Sequence, residues 1–296
     1  MPALELSQVH RVYSGGKQAL RGVDLSIAPG EVVGLLGRNG AGKTTLIRIA
    51  MGMIHPQRGT VNVFGLDPWK DAVAVKRRVG YVAEEQILPG SLRIDELFAL
   101  HESLFPTWDD AFARDLADRF ALSRRERVRT LSKGKARAAA LVCAVAHRPE
   151  LLILDEPAGG LDPVARRDFL ETAVALLNDS APAILFSTHQ MADVERLPGR
   201  VALLHEGKVL LDSSLDDVRQ GFSLAVLEPD GIDDATIRRL ESCRGVRRKR
   251  DAIHALFELQ PERASALVAE RFGRAPADCR SLPLEDLFIE LVESER

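Results

Sequence analysis

The feature that most constrains this chain is an apolar segment that runs directly into a glycine-rich loop and then into a helical pattern. The apolar segment, EVVGLL at 31–36, is typical of a strand buried on both faces of a parallel sheet. The helical pattern runs from Leu46 to Met53. The loop between them consists of Gly37, Arg38, Asn39, Gly40, Ala41, Gly42, Lys43, Thr44 and Thr45. This order predicts an α/β fold with a ligand-binding loop at the end of a buried strand.

The loop fits the GxxxxGK[ST] pattern of phosphate-binding loops, and its strand-to-helix context is the one that this pattern requires. Its glycines allow successive backbone N–H groups to surround a phosphate chain, and the helix directs its positive end at the same charge. Lys43 is expected to reach the β and γ phosphates, and the Thr44 hydroxyl to bind Mg²⁺. A glycine-rich turn without a ligand is the alternative, which this context disfavours.

A second apolar segment ends in two carboxylates. Leu151 to Leu154 precedes Asp155 and Glu156, which would lie at the edge of a parallel sheet where ligands bind. There Asp155 would hold Mg²⁺ through water, and Glu156 would orient and deprotonate an attacking water. A strand that simply enters a polar turn has the same pattern, so this prediction depends on the phosphate-binding loop.

The composition of the 296 residues is that of an ordinary folded protein, with 46% hydrophobic and 28% charged residues. Lys and Arg number 40 against 43 Asp and Glu, so there is no global basic field that would predict nucleic-acid binding. The three cysteines are far apart and lack zinc-site spacing, which favours a reducing compartment. The longest apolar run, Ala138 to Ala146, is far shorter than the roughly 18 residues of a membrane span. We therefore expect neither a transmembrane segment nor a secretory signal.

Hydrophobic patterning predicts three regions around a parallel core. Strands are expected at 4–12, 20–27, 31–36, 151–154, 183–186 and 201–204, the first two antiparallel. Between Glu84 and Arg148 the pattern changes to helices, which indicates a helical insert. After Leu211 the sequence is more charged and predicts strand, helix, strand, helix and helix in a small α+β appendage. The expected domains are 1–212, with the insert at about 84–148, and 213–296.

A third motif, Leu131-Ser132-Lys133-Gly134-Lys135, stands before an Ala-rich helical segment and precedes the Asp-Glu pair. Ser132 is a natural N-cap, but the cations that follow it oppose the helix dipole unless an anion binds there. A solvated cationic helix end is the alternative, and the residues alone leave both open. Arg137 adds to the same positive charge.

This third motif resembles the signature sequence of ATP-binding-cassette (ABC) ATPases. With the other two motifs in the family's order, the chain resembles the nucleotide-binding subunit of an ABC transporter over residues 1 to about 212. The resemblance implies a P-loop NTPase fold with a RecA-like parallel core, an antiparallel β subdomain and a helical subdomain. It also implies ATP and Mg²⁺ as cofactors.

Individual site residues follow from the resemblance, motif by motif. Tyr13 would stack on adenine, although an edge-strand tyrosine has the same pattern. His189 would contact the γ phosphate and act in catalysis with Lys43 and Glu156, and Asp162 would lie in the loop between subunits. The residues Ser132, Lys133, Gly134 and Lys135 would contact ATP bound to a second subunit. The Mg²⁺ ligands would be Thr44, Asp155 and Glu84.

Two departures from the family pattern stand out. Glu84 occupies a position where most members have a glutamine that senses Mg²⁺, so it adds negative charge beside the triphosphate. Lys133 and Lys135 replace the usual glycine and glutamine of the signature. The basic runs 124–129 and 244–250 could contact lipid or nucleic acid, but solvated faces are the favoured interpretation.

The sequence thus favours an ATPase that closes as a homodimer and drives transport, with export favoured, through separate membrane permease subunits. It would be cytoplasmic and peripheral, on the inner face of the membrane, and would not bind nucleic acid. An importer subunit and a soluble ABC ATPase acting on ribosomes or DNA are the alternatives. A small-molecule kinase would leave the signature and His189 unexplained.

Overall fold

The structure, a computed structural model, describes residues 1–85, 88–161, 166–167, 169–173, 182–196, 199–249 and 251–294. Within these residues the chain forms two compact units, Met1–Leu211 and Asp212–Arg296. Each unit has its own sheets and its own buried apolar cluster.

The first unit contains an antiparallel sheet with the strand order β2-β1-β4. Its strands are β1 (Leu4–Val12), β2 (Gln18–Ile27) and β4 (Arg58–Val63). The sequence patterns predict β1 and β2 but not β4. Only Val61 and Val63 of β4 are buried hydrophobics, and its first three residues are exposed, so its apolar pattern is too short to indicate a strand.

The core of the first unit is a sheet with the strand order β5-β6-β7-β3-β8-β9. Its strands are β3 (Val32–Leu36), β5 (Val79–Val82), β6 (Leu151–Asp155), β7 (Ala183–Thr188), β8 (Arg200–His205) and β9 (Lys208–Ser214). Strand β3 and strands β5 to β8 pair in parallel. Every residue of β3, β6 and β7 is buried, which explains their continuous apolar sequences. The predicted P-loop NTPase architecture is confirmed, and the loops after β3, β6 and β7 meet at one sheet edge.

Helices complete the first unit. They are α1 (Lys43–Ala50), α2 (Ala72–Arg78), α3 (Ile94–Leu104), α4 (Asp110–Arg119), α5 (Lys133–Val145) and α6 (Met191–Val194), with a 3₁₀ turn at Val128–Thr130. Residues 166–167 and 169–173 are also helical. Helices α3 and α4 lie within the predicted helical insert and pack on the Ala-rich α5, whose residues 138–145 are all buried.

The second unit contains an antiparallel sheet with the order β11-β12-β10-β13. Its elements are α7 (Leu215–Gly221), β10 (Ser223–Leu227), α8 (Asp234–Arg238), β11 (Cys243–Lys249), β12 (Ala252–Phe257), α9 (Pro261–Phe272), β13 (Asp278–Ser281) and α10 (Leu284–Ser294). From β10 to β13 the order is βαββαβ, a split βαβ arrangement.

Two strands of this second unit differ from the sequence prediction. The predicted pattern lacks β11 and β13 and extends the helix α8 to Cys243. Both missed strands lie at sheet edges, where charged residues are common because one side of the strand faces solvent. The basic run at 244–249 is therefore part of a sheet.

Candidate functional site

The phosphate-binding loop follows β3 and is shaped by two tightly packed glycines. A Cβ on Gly37 would lie 2.5 Å from the Leu204 carbonyl oxygen. Gly42 has a φ of 115°, and a Cβ there would lie 2.4 Å from the Ala19 carbonyl oxygen. Both positions exclude side chains because the backbone passes directly against its neighbours.

The loop ends at the start of α1, whose N-cap residue is Gly42 and therefore offers no side-chain cap. The first N–H groups of this helix lack intrahelical acceptors and carry the positive end of the helix dipole. They border a cleft into which an anion can dock. The cleft is lined by Tyr13, Lys17, Ala19, Asn39, Gly40, Gly42, Lys43, Thr44, Thr45, Glu84 and Glu156.

Lys43 is the buried cation of the cleft. Its Nζ donates to the Gly37 carbonyl oxygen at 2.7 Å, and its side chain is 6% exposed. The same Nζ lies 3.0 Å from Glu156 Oε1, an ion pair without the alignment of a hydrogen bond. Lys43 thus joins the loop after β3 to the residue after β6.

Asp155, the last residue of β6, presents carboxylate oxygens toward the same region. Ser187 Oγ donates to Oδ1 at 2.6 Å, and Thr44 Oγ1 lies 3.5 Å from the same atom. Burial raises the pKa of the Asp155 carboxyl, against the lowering effect of these two hydroxyls. Its Oδ2 is buried and has no hydrogen-bond partner among the described residues.

This unpartnered oxygen, with Thr44 Oγ1 beside the same carboxylate, provides the hard oxygen ligands that suit Mg²⁺. The described residues contain no group of three or more His, Cys, Asp and Glu side chains that could enclose a metal by themselves. Mg²⁺ does not need such a group because it commonly uses one or two carboxylates and completes its shell with water and substrate phosphates. The residues present therefore fit Mg²⁺ bound together with a phosphate chain.

Glu156 is held in a strained backbone conformation, with a φ of 45°. A non-glycine residue in this left-handed region costs about 1–3 kcal/mol, and such residues occur often at active sites. Its N–H donates to the Ser187 carbonyl oxygen at 3.2 Å, and Ser187 Oγ lies 3.0 Å from the same nitrogen. His189 Nδ1 lies 2.8 Å from Glu156 Oε2. A buried carboxylate with a histidine on one oxygen and a lysine on the other can serve as a general base.

Comparison with known proteins identifies the family of this chain. The sequence profile of the family described as "ABC transporter" matches residues 20–159. The ABC transporter ATP-binding protein YtrB of Bacillus subtilis is 31% identical over 219 residues, covering 74% of this chain and 74% of that protein. The chain belongs to the ABC transporter family.

Two further similarities extend the match. The daunorubicin resistance ATP-binding protein DrrA3 of Streptomyces coeruleorubidus is 32% identical over 250 residues, covering 77% of this chain and 79% of that protein. A solved structure of an ATP-binding subunit of an ABC transporter superposes with a TM-score of 0.67 and 31% identity, covering 73% of this chain and 92% of the other. ATP binding and hydrolysis are therefore the chemistry of this ABC ATPase.

Of the other residues predicted to bind ATP, some line the cleft and some do not. Tyr13 lines the cleft, its hydroxyl lies 3.3 Å from Thr45 Oγ1, and the Arg11 guanidinium lies 5.2 Å from its ring centre. Arg38 is exposed and Ala41 is buried in the core, so neither side chain lines the cleft. Asp162, predicted to lie in the loop between subunits, is outside the described residues.

The signature residues lie away from this cleft. Helix α5 begins after Ser132, whose Oγ accepts a hydrogen bond from Lys135 N at 3.3 Å. Ser132, Gly134 and Lys135 line a separate cavity with Leu161. Lys133 is exposed beside it.

The positive charge at the start of α5 is partly neutralised within the chain. Lys135 Nζ lies 3.4 Å from Glu126 Oε2, so this lysine has a local acidic partner. Arg137 turns toward the sheet edge that carries Lys43, Asp155, Glu156 and His189, named the catalytic edge, and donates to backbone carbonyls there. Sequence reasoning counted both among cations facing an anion, because charge along a helix does not reveal which way a long side chain turns.

A buried network behind His189 was also missed. Arg166 Nε donates to Asp193 Oδ1 at 2.7 Å, and Thr188 Oγ1 donates to Asp193 Oδ2 at 2.9 Å. The Gln190 N–H donates to Thr188 Oγ1 at 3.0 Å. The residues on both sides of His189 are thereby fixed. The only sequence signal was the short polar sequence around His189, which also suits an ordinary turn.

No helix in the described part of the chain is long and apolar enough to cross a membrane.

Proposed function

We propose that two copies of this chain close around two ATP molecules and that hydrolysis reopens the pair to drive export through separate membrane permease subunits. Each site would combine the phosphate-binding loop of one copy with Ser132 and Gly134 of the other. The ATPase domain would be residues 1–212 and the accessory domain 213–296. The assembly would lie at the cytoplasmic face of the membrane.

One observation carries this proposal. The cleft beside Lys43 and the cavity beside Ser132 have no lining residue in common among the described residues. A signature segment that lines a cavity separate from its own nucleotide cleft would act on another nucleotide, and a second copy of the chain would then complete the site. The N-cap geometry of Ser132 and the exposed Lys133 suit contact with an anion at this helix start.

Within each site the residues have separate tasks. Lys43 and the N-terminus of α1 would bind the β and γ phosphates, and Tyr13 would stack on adenine. Thr44, Asp155 and Glu84 would hold Mg²⁺, which neutralises charge on the phosphate oxygens. When Lys43 turns to the γ phosphate, Glu156 loses its ion pair and is available to orient water and accept its proton. His189, bonded to Glu156, would hold the γ phosphate on the opposite side.

The direction of transport is proposed from relatives. The Streptomyces coeruleorubidus protein is named for daunorubicin resistance. A transporter that removes a compound from the cell confers resistance to it, whereas one that imports the compound does not, which favours export over import. The cargo would be selected by the permease.

The test is the mass of a Glu156→Gln variant by light scattering, with and without Mg-ATP. Removing the base traps the closed pair before hydrolysis, so we expect a dimer that requires ATP. Ser132→Arg in the same background places a bulky cation at the helix start and should leave a monomer. Arg114→Gln, which removes an exposed pair on α4, should leave the dimer intact. A monomer in the parent variant, or a dimer that persists with Ser132→Arg, contradicts the composite site.

A further inference from the structure

The guanidinium of Arg137 connects helix α5 to both acidic segments of the catalytic edge. Its Nη1 donates to the carbonyl oxygens of Glu156 at 3.1 Å and Pro157 at 2.9 Å. Its Nη2 donates to the Glu84 carbonyl oxygen at 3.0 Å. We infer that Arg137 is a positioning residue that sets the backbone of the general base Glu156 and of Glu84 from the signature helix.

The strained backbone of Glu156 gives this contact its importance. With a φ of 45°, the residue needs partners that hold it in place. Ser187 holds its N–H side, and Arg137 holds its carbonyl side. Loss of either partner allows the peptide to relax, which turns the carboxylate away from the water that it must activate.

The second contact extends the effect to Glu84. This residue lines the nucleotide cleft, and its backbone oxygen bonds to the same guanidinium that holds Glu156. One side chain therefore fixes the spacing between two carboxylate-bearing segments that face one nucleotide. A change in the position of Arg137 moves both segments together.

The position of Arg137 on α5 relates this spacing to the other site of the pair. Arg137 follows the N-cap residue Ser132 by five positions, about 7.5 Å along a rigid helix at 1.5 Å per residue. On the proposed function, Ser132 contacts the nucleotide of the partner copy. Docking of α5 on that nucleotide then places Arg137, and through it the Glu156 of its own site. The two sites of a closed pair would hydrolyse ATP only when ATP is bound at both.

The chemistry requires arginine at this position. Three carbonyl oxygens on two segments match the planar fork of a guanidinium, whereas a lysine ammonium holds its three donors on one nitrogen and cannot span both segments in this way. Burial lowers the pKa of Arg137, opposed by the nearby carboxylates of Glu84 and Glu156. The side chain stays charged because the ordinary arginine pKa is far above neutrality.

The test compares Arg137→Lys and Arg137→Ala with Arg114→Gln, which removes an exposed arginine elsewhere in the helical insert. For Arg137→Lys we expect kcat for ATP hydrolysis to fall about ten- to a hundredfold, with KM for ATP changed less than about threefold, because misplacement by about 1 Å costs this much. Millimolar guanidinium chloride should restore part of the activity of Arg137→Ala, and methylammonium should not. In the Glu156→Gln background, Arg137→Lys should still dimerise with Mg-ATP.

Three outcomes would overturn the inference: unchanged kcat in Arg137→Lys, equal rescue by both cations, or lost dimerisation in the Glu156→Gln background. Thermal melting of each variant shows whether the loss of activity comes from misfolding or from a misplaced Glu156. Rescue by guanidinium is a second control because it requires a folded site. The proposed function fails independently of Arg137 if the unmodified chain does not hydrolyse ATP or the Glu156→Gln variant does not dimerise.

Discussion

The catalytic edge of the first unit and the strand β11 of the second unit both contain several charged side chains, but these differ in burial and in pairing. At the catalytic edge, Lys43, Asp155 and Glu156 are almost completely buried, and Asp155 Oδ2 has no partner among the described residues. In β11, Arg244 Nε lies 3.2 Å from Glu258 Oε2 and Arg248 Nε lies 3.0 Å from Asp234 Oδ1, both pairs near solvent, while Arg247 between them pairs with the buried Glu290.

The difference separates charge that serves a ligand from charge that serves the fold. Exposed ion pairs cost little to form because water still screens and solvates them. A buried carboxylate oxygen without a partner is costly, and beside the Thr44 hydroxyl at the start of α1 this oxygen is suited to bind a metal ion. The basic run 244–249, interpreted from the sequence as a solvated face, is the edge strand β11, and Arg244 and Arg248 pair there near solvent.

The largest effect is expected at Glu156, the proposed general base. Glu156→Gln keeps the shape of the side chain but removes its basicity, so ATP hydrolysis should fall by about 10²- to 10⁴-fold while Mg-ATP binding persists. Phosphate release and equilibrium binding measure the two quantities. Glu150→Gln, before the other end of β6 and in a surface pair with Arg78, should hydrolyse ATP normally. Equal losses of ATP hydrolysis in both variants would show that the buried Glu156 and the exposed Glu150 do not differ in their importance for hydrolysis.

The next largest effect concerns the pair behind His189. Arg166→Met leaves Asp193, which is 2% exposed, without its main partner. Removing one partner of a buried pair costs about 3–5 kcal/mol, so the free energy of unfolding of the first unit should fall by that amount. Urea denaturation measures it. Arg166→Met/Asp193→Leu should recover part of the loss. A cost below about 1 kcal/mol would mean that this pair behaves like a surface pair.

A smaller effect is expected at Asp109, the N-cap residue of α4 in the helical insert. Asp109 accepts a hydrogen bond from Phe112 N at 2.9 Å, and that bond and the Arg148 guanidinium lower the pKa of Asp109. Asp109→Ala should cost about 1 kcal/mol at neutral pH.

The pH dependence of this effect has a defined sign. Because the folded pKa is below the ordinary value of 3.8, the stabilisation is complete above that value and is lost as pH falls through the folded pKa. Urea midpoints of the variant and the parent should therefore converge in acid. Asp115→Ala, in an exposed pair on the same helix, is the control. A difference that grows in acid would contradict the assignment.

The smallest effect is expected in β11. Arg244→Gln removes an exposed pair, with side chains 41% and 48% exposed, and should change the unfolding free energy by about 0–1 kcal/mol. It should leave ATP hydrolysis unchanged. A cost equal to that of Arg166→Met would show that the surface charges of the second unit stabilise its fold as strongly as the buried pair stabilises the first unit.

Local chemistry was sufficient to predict the principal elements of the site. The phosphate-binding loop needs glycine at fixed positions, and the buried strands need continuous apolar residues, so both leave patterns within a few residues of sequence. The parallel sheet then brings Lys43, Asp155, Glu156 and His189 to one edge, because its strands end on the same side. The roles of these residues in ATP hydrolysis remain predictions for the experiments above.

The sequence by itself thus determined the P-loop NTPase fold, the ABC family and the residue types at the catalytic edge. Only the tertiary structure decided where the long cationic side chains go and which polar strands join a sheet edge. Arg137 bonds to Glu84 and Glu156, which lie 53 and 19 residues away, and Arg166 bonds to Asp193, 27 residues away. A flexible charged side chain has many low-energy directions, and its partner is selected by whichever carbonyl or carboxylate the folded backbone brings within reach.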